Sequence, residues 1–158
     1  MDKETISKAN KLHEANLVPE LYEFIKPFLE DGDPDAYYFY SQFSLPDWGE
    51  TDDEYDRRYV DSLIKAAKGN VVEAMYRLSS MYLVGDVVDM DIERGKMYLD
   101  QALARNFGPA KLTVGLNLYY GSNGYQKDFD RSFNLVTEAA QENVEGASEA
   151  LLMIKKDQ

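Results

Sequence analysis

Apolar residues recur along this chain at spacings of three and four, the mark of helices with one buried face. Ile6, Ala9, Leu12 and Leu17 trace one side of residues 2–16, while Lys8 and Lys11 fall opposite. Asn16 and Pro19 break that pattern, since proline suits the first turn of a new helix. Leu21, Phe24, Ile25 and Phe28 line a second helix. Pro27 inside it is expected to strain or shorten it, because the ring displaces a backbone hydrogen bond. Asp31-Gly32-Asp33-Pro34 is a turn by composition. Further helices are predicted over 35–44, 54–68, 71–83, 91–104, 109–120, 128–141 and 146–156, with an irregular acidic loop at 45–53 and stops at Gly85 and Gly121. No segment sustains the alternation of a strand. The pattern predicts an all-α protein.

The helices carry a longer repeat. Ala66-Ala67-Lys68-Gly69-Asn70 returns 36 residues later as Ala102-Leu103-Ala104-Arg105-Asn106, and 37 further on as Ala139-Ala140-Gln141-Glu142-Asn143. Ala74, Ala110 and Ala147 each follow those asparagines by four residues, and Arg58, Arg94 and Arg131 each precede the opening alanine by eight. A period of this length marks stacked units, each burying its apolar face on its neighbours. The closing asparagines have a mechanical rationale, since Asn tolerates the left-handed conformation that ends many helices. Asp91 and Asp128 are placed to cap the second helices of two repeats. The predicted architecture is one domain over 1–158. It has an N-terminal helical cap (1–31), repeats at 32–69, 70–105 and 106–142, and a C-terminal capping helix (143–158).

These residues resemble the Sel-one-like repeats (SLR), relatives of the tetratricopeptide helix-turn-helix. Ala74, Leu78, Tyr82, Gly85, Val88, Asp91, Tyr98 and Ala102 follow that family's order. Ser79, Val87 and Gly95 depart from it, standing where the family has Gly, Gly and Ala. The third repeat keeps Ala110, Gly115, Gly121, Asp128, Ala139 and Ala140, with Leu118 for Tyr and one extra loop residue; the first keeps only Ala36. The resemblance implies an α/α superhelix of antiparallel helix pairs. It also implies that the first helix of each pair lines a concave groove. Small residues would let paired helices approach closely, and Tyr82 and Tyr98 would fill spaces between successive pairs.

Charge and residue types narrow the function. The net charge of −12 disfavours binding through nucleic-acid phosphates or anionic lipid. No apolar run approaches the roughly 20 residues of a membrane span, and 1–12 lacks the apolar core of a secretory signal. The absence of cysteine removes disulfides, thiolate metal sites and a cysteine nucleophile. A cytoplasmic location is the expectation. His13 is the single histidine and reads as a surface or edge residue. Asp31, Asp33 and Asp35 superficially suggest a calcium loop, but Ala36 and Gln42 stand where its sixth-position Gly and twelfth-position Glu belong. No phosphate-binding glycine motif is present, and no carboxylate pair is singled out for hydrolysis. No enzyme, cofactor or metal is expected.

What remains is a surface. Mapped through the resemblance, the groove positions are Asp35, Tyr38 and Gln42; Glu73, Tyr76, Ser80 and Leu83; and Leu112, Leu116, Tyr119 and Tyr120. Aromatic anchors with acidic neighbours suit a basic or amphipathic protein segment. Trp48, in the acidic loop, is read either as a packing residue or as an exposed anchor. The expected function is a non-enzymatic adaptor or scaffold. The alternative is a dedicated acidic inhibitor, an immunity protein against a toxin or a nucleic-acid mimic. Its warrant is the segment 30–56, with ten acidic residues and no Lys or Arg.

Overall fold

The structure, a computed structural model, describes residues 1–157. Among them are nine α-helices and no strand: α1 Lys3–Glu14, α2 Val18–Glu30, α3 Pro34–Ser41, α4 Asp52–Lys68, α5 Val72–Val84, α6 Ile92–Ala104, α7 Gly108–Tyr120, α8 Phe129–Gln141 and α9 Ala147–Lys156. A single 3₁₀ turn, Pro46–Trp48, interrupts the connection from α3 to α4. The chain forms two compact units, Met1–Met75 and Tyr76 onward, dividing within α5.

One local device closes helix after helix. Asn16, Asn70, Asn106 and Asn143 all take positive φ, at 54, 71, 58 and 57°, and Gly32 does the same after α2 at 77°. In each case the next residue's N–H reaches back five positions, as in Val71 to Ala66 (3.0 Å) and Val144 to Ala139 (3.0 Å). The asparagine N–H reaches back three. Together these satisfy carbonyls that the helix end would otherwise orphan. The starts are equally local. Asp91 and Asp128 accept from the N–H of Arg94 and Arg131 at 2.9 and 3.0 Å. Thr51 and Glu54 form a reciprocal capping box at the head of α4.

In the first unit, α2 packs on α1 and α3, and α3 on α4. Ala9, Leu21, Ile25, Ala36, Phe39 and Phe43 form the buried centre. Each fully buried Leu or Ile there contributes about 1.5–3 kcal/mol. Pro27 does not shorten α2, which runs on to Glu30. Pro27 and Glu23, whose carbonyl loses its helical donor, both lie on the exposed face, so water replaces the missing bond.

In the second unit, α6 packs on α7, α7 on α8 and α8 on α9. Gly115 brings α7 and α8 together: a Cβ there would lie 2.6 Å from a Val136 methyl. The Ser132 hydroxyl donates to the Gly115 carbonyl at 2.7 Å across the same approach. Tyr82 and Tyr98 stack on one another, with centroids 6.1 Å apart and planes 10° apart, so they fill one helix pair rather than the space between pairs. Lys111 is buried on α7, its ammonium held by Glu138 of α8 (3.1 Å) and by Glu142, which caps the end of α8 (2.5 Å). The Glu142 hydrogen bond, and the neighbouring negative charge, raise its pKa above the ordinary lysine value.

Candidate partner-binding surface

In the second unit, Tyr76 of α5 reaches α7 and the residue before it. The Tyr76 and Thr113 hydroxyls are 3.0 Å apart, and the Tyr76 ring meets Phe107 edge-on at 5.5 Å. Tyr76 and Ser80 stand one turn apart on α5, with Ser80 exposed. On α7, Leu112, Leu116, Tyr119 and Tyr120 fall at the four-, seven- and eight-residue spacings of one face. The leucines and Tyr119 are half-buried, whereas Tyr120 is 55% exposed. Tyr119 and Tyr120 meet edge to face at 4.9 Å. The α9 region borders them: the Tyr119 hydroxyl donates to the Asp157 carboxylate, and the Tyr120 hydroxyl lies 3.4 Å from the Met153 sulfur. Leu83 is half-buried, its side chain occupying the space that Gly95 leaves open.

The remaining sequence-predicted residues lie in the first unit. Asp35, Tyr38 and Gln42 follow one another on the same side of α3, or just past its end. The Asp35 carboxylate takes the Met1 ammonium at 3.2 Å, and Asp33 takes it as well. Tyr38 is edge-on to Phe39, and the Gln42 amide is 3.4 Å from the Tyr38 carbonyl. Glu73 is exposed in the first turn of α5. Asp33 also caps α3 through the N–H groups of Asp35 and Ala36. Of the aspartates that suggested a calcium loop, Asp33 and Asp35 are therefore helix-capping or ion-pairing groups, while Asp31 is exposed at the end of α2.

Trp48 is half-buried against Tyr22, Tyr40 and Phe43, at 5.0, 5.6 and 5.8 Å between centroids. Both it and Tyr40 also face the Arg58 guanidinium, at 4.9 and 4.6 Å. Arg58 is the residue that reading the sequence missed. Its guanidinium forks onto Glu50 at 2.6 and 2.9 Å and donates to the Tyr40 and Phe43 carbonyls at 2.6 and 2.7 Å. It ties α4 to the end of α3 and to the acidic loop. The Arg58 hydrogen bond holds the Glu50 carboxyl below the ordinary range, and burial pushes the Tyr40 phenol up. The only signal for it was the shared spacing of Arg58, Arg94 and Arg131. Those counterparts are exposed, and Arg94 reaches Asp91 (3.6 Å) and the Tyr82 hydroxyl (3.2 Å).

Tyr125, in the α7–α8 loop, is buried with its hydroxyl 2.7 Å from Asp100 and the Lys96 ammonium over its ring at 4.5 Å. Burial and the Asp100 bond push its phenol above the ordinary tyrosine range. Among the described residues no cluster of His, Asp and Glu could hold a metal ion, and no helix is long and apolar enough to cross a membrane.

Antiparallel helix pairs closed by left-handed asparagines at a 36- to 37-residue step define an α/α superhelical repeat. The chain has the fold of an SLR-type helical repeat protein, as its likeness to two solved structures shows. A Sel1 repeat protein from Oxalobacter formigenes is similar at a TM-score of 0.70 and 26% identity, over 81% of this chain and 94% of that one. A protective antigen present in uropathogenic Escherichia coli strains, displaying an SLR fold, is similar at a TM-score of 0.63 and 17% identity. That match covers 87% of this chain and 37% of the antigen, and it bears on the fold alone. No protein-family model matches the sequence, and no curated protein is significantly similar to it.

Proposed function

We propose that this chain is a non-enzymatic protein–protein interaction module, an adaptor that holds a basic or amphipathic partner segment. The observation that supports this is the Tyr76–Thr113 bond, which links the first helices of two successive pairs. Exposed Ser80 on α5, and half-buried Leu116 and the Tyr119–Tyr120 pair on α7, are the candidates for the binding face. Rigid aromatic rings offer contact area at low entropic cost, and an acidic protein favours a cationic segment beside them. In the first unit, Asp35, Tyr38, Gln42 and Glu73 are candidates for the same role, with Trp48 a weaker one because its ring already packs against three others. A cytoplasmic location accords with this reading.

The inhibitor reading has less behind it. Within 30–56, Asp33 caps α3, Glu50 is taken by Arg58, and Glu54 closes a capping box. Glu30, Asp31, Asp47, Asp52 and Asp53 remain exposed for a basic target.

Affinity capture from lysate at low and moderate salt separates the two, using the native chain, Tyr120→Ser and Ser80→Arg. Both substitutions are at exposed positions and should leave Tm within about 2 °C. Tyr76 is less suitable, because its truncation also removes packing on Phe107. A partner retained at both salts and lost with either variant supports the adaptor. Release by salt with both variants still binding supports the inhibitor and refutes the face.

A further inference from the structure

The α5–α6 loop carries an aliphatic knob that packing does not explain. The N–H groups of Gly85 and Asp86 donate to the Met81 carbonyl at 2.8 and 3.1 Å, and that of Asp91 donates to the Tyr82 carbonyl at 2.9 Å. Residues 85–90 therefore leave and return to one short stretch of α5. Gly85 allows this closure: at its φ of +76° an added Cβ would sit 3.0 Å from the Met90 Cβ and 3.3 Å from its nitrogen. Val84 ends α5, Val87 and Met90 lie in the loop that follows it, and they are 75, 43 and 65% exposed. Single exposed apolar residues are ordinary, but three in one short stretch are a feature to account for.

Val87 sharpens the point. Its φ is +64°, a region that a β-branched side chain strongly resists. The same chain meets the same demand differently one repeat later. There the N–H groups of Gly121 and Ser122 donate to the Asn117 carbonyl at 2.8 and 3.1 Å, and that of Asp128 donates to the Leu118 carbonyl at 3.0 Å. In that loop the positive φ angles fall on Gly121, the counterpart of Gly85, and then on Asn123 and Gly124, all residues suited to them, and Asn123 bonds to the Asn117 side chain. The backbone therefore does not call for valine at 87, and neither does burial. Strain held at an exposed position points to function.

The surroundings select the occupant. Asp86, Asp89 and Glu93 are exposed around the tip, and Asp91 caps α6, while Arg94 is turned to Asp91 and Tyr82. This acidic rim repels a second copy of a chain carrying −12, and it repels an anionic membrane too. We propose that Val84, Val87 and Met90 form a docking knob for a protein partner that presents aliphatic side chains flanked by Lys or Arg. The knob stands independently of the α5–α7 face proposed above.

The test uses the full chain with Val and Met methyl groups isotopically labelled for NMR. It is titrated at low ionic strength with an amphipathic Leu/Lys helical peptide and with a Leu/Glu counterpart. The Val84, Val87 and Met90 methyl signals should shift with the Lys peptide, which should bind at least about 10-fold more tightly than the Glu peptide. Val87→Asn should weaken binding by about 10-fold or more while raising Tm, because Asn accepts the left-handed backbone. Tyr120→Ser should leave these shifts unchanged, which separates the knob from the face. Absence of binding, shifts confined to other methyl groups, equal affinity for both peptides, a lower Tm for Val87→Asn, or self-association abolished by that substitution would each overturn the proposal.

Discussion

Removing the Arg58 side chain is the most informative perturbation of the fold. The side chain is 12% exposed and its partner Glu50 is 16% exposed, so the pair is largely shielded from water. Arg58→Ala deletes two bonds to Glu50 and strips the Tyr40 and Phe43 carbonyls of their donor. It also removes the cation facing Tyr40, Trp48 and Tyr55. Breaking a buried pair costs about 3–5 kcal/mol, mostly because the surviving charge is stranded. Glu50 retains a bond from Ser44 (2.7 Å) and some water, which places the cost near the lower end, about 3 kcal/mol. That corresponds to a fall in Tm of roughly 6–12 °C. Arg58→Lys keeps the charge but not the fork, and should recover less than half of the loss. The single tryptophan makes the assay local, since Trp48 fluorescence during urea unfolding reports on this cluster alone. The sign of the pH dependence follows from the lowered Glu50 pKa. Its contribution is complete above the ordinary glutamate value and is lost as pH falls through the lower folded value. Glu50→Gln should flatten that acid limb. A loss below about 1 kcal/mol for Arg58→Ala, or an unchanged acid limb in Glu50→Gln, would refute the account of Arg58 as the tie.

Substitutions at three other positions probe the repeat. Asn106→Gly should be nearly neutral in urea unfolding, whereas Asn106→Val should cost about 1 kcal/mol or more, because φ is +58° there. Gly115→Ala should destabilise by about 1–3 kcal/mol by driving α7 from Val136, and a circular dichroism melt reads it directly. Lys111→Ala should cost only about 1–2 kcal/mol despite the buried ammonium, since Glu138 and Glu142 are 52 and 39% exposed and regain water. Because the Lys111 pKa is raised, its contribution holds up to the ordinary lysine range and fades above it. Lys111→Met should remove that alkaline limb of a Tm–pH profile.

What could be read in the sequence is what is decided within one turn of chain. The left-handed asparagines, the Asp91 and Asp128 caps and the helical faces each involve residues three to five positions apart. Their geometry follows from backbone sterics and a hydrogen bond that cannot reach further. The repeat was legible for the same reason, since each unit meets the same local demands at the same step. The proposed binding surface was legible only as a set of positions on helices. Tertiary packing decided which of them were already occupied. Tyr76 found Thr113 at 37 residues' separation, Tyr119 found Asp157 at 38, and Trp48 was drawn under Arg58. It also decided that Arg58 is a buried tie while Arg94 and Arg131, identical in spacing, are exposed. Periodicity states which side of a helix is apolar. The neighbour that side meets, and so the energy of every long side chain on it, depends on how the helices are rotated and spaced against one another, which no local spacing contains.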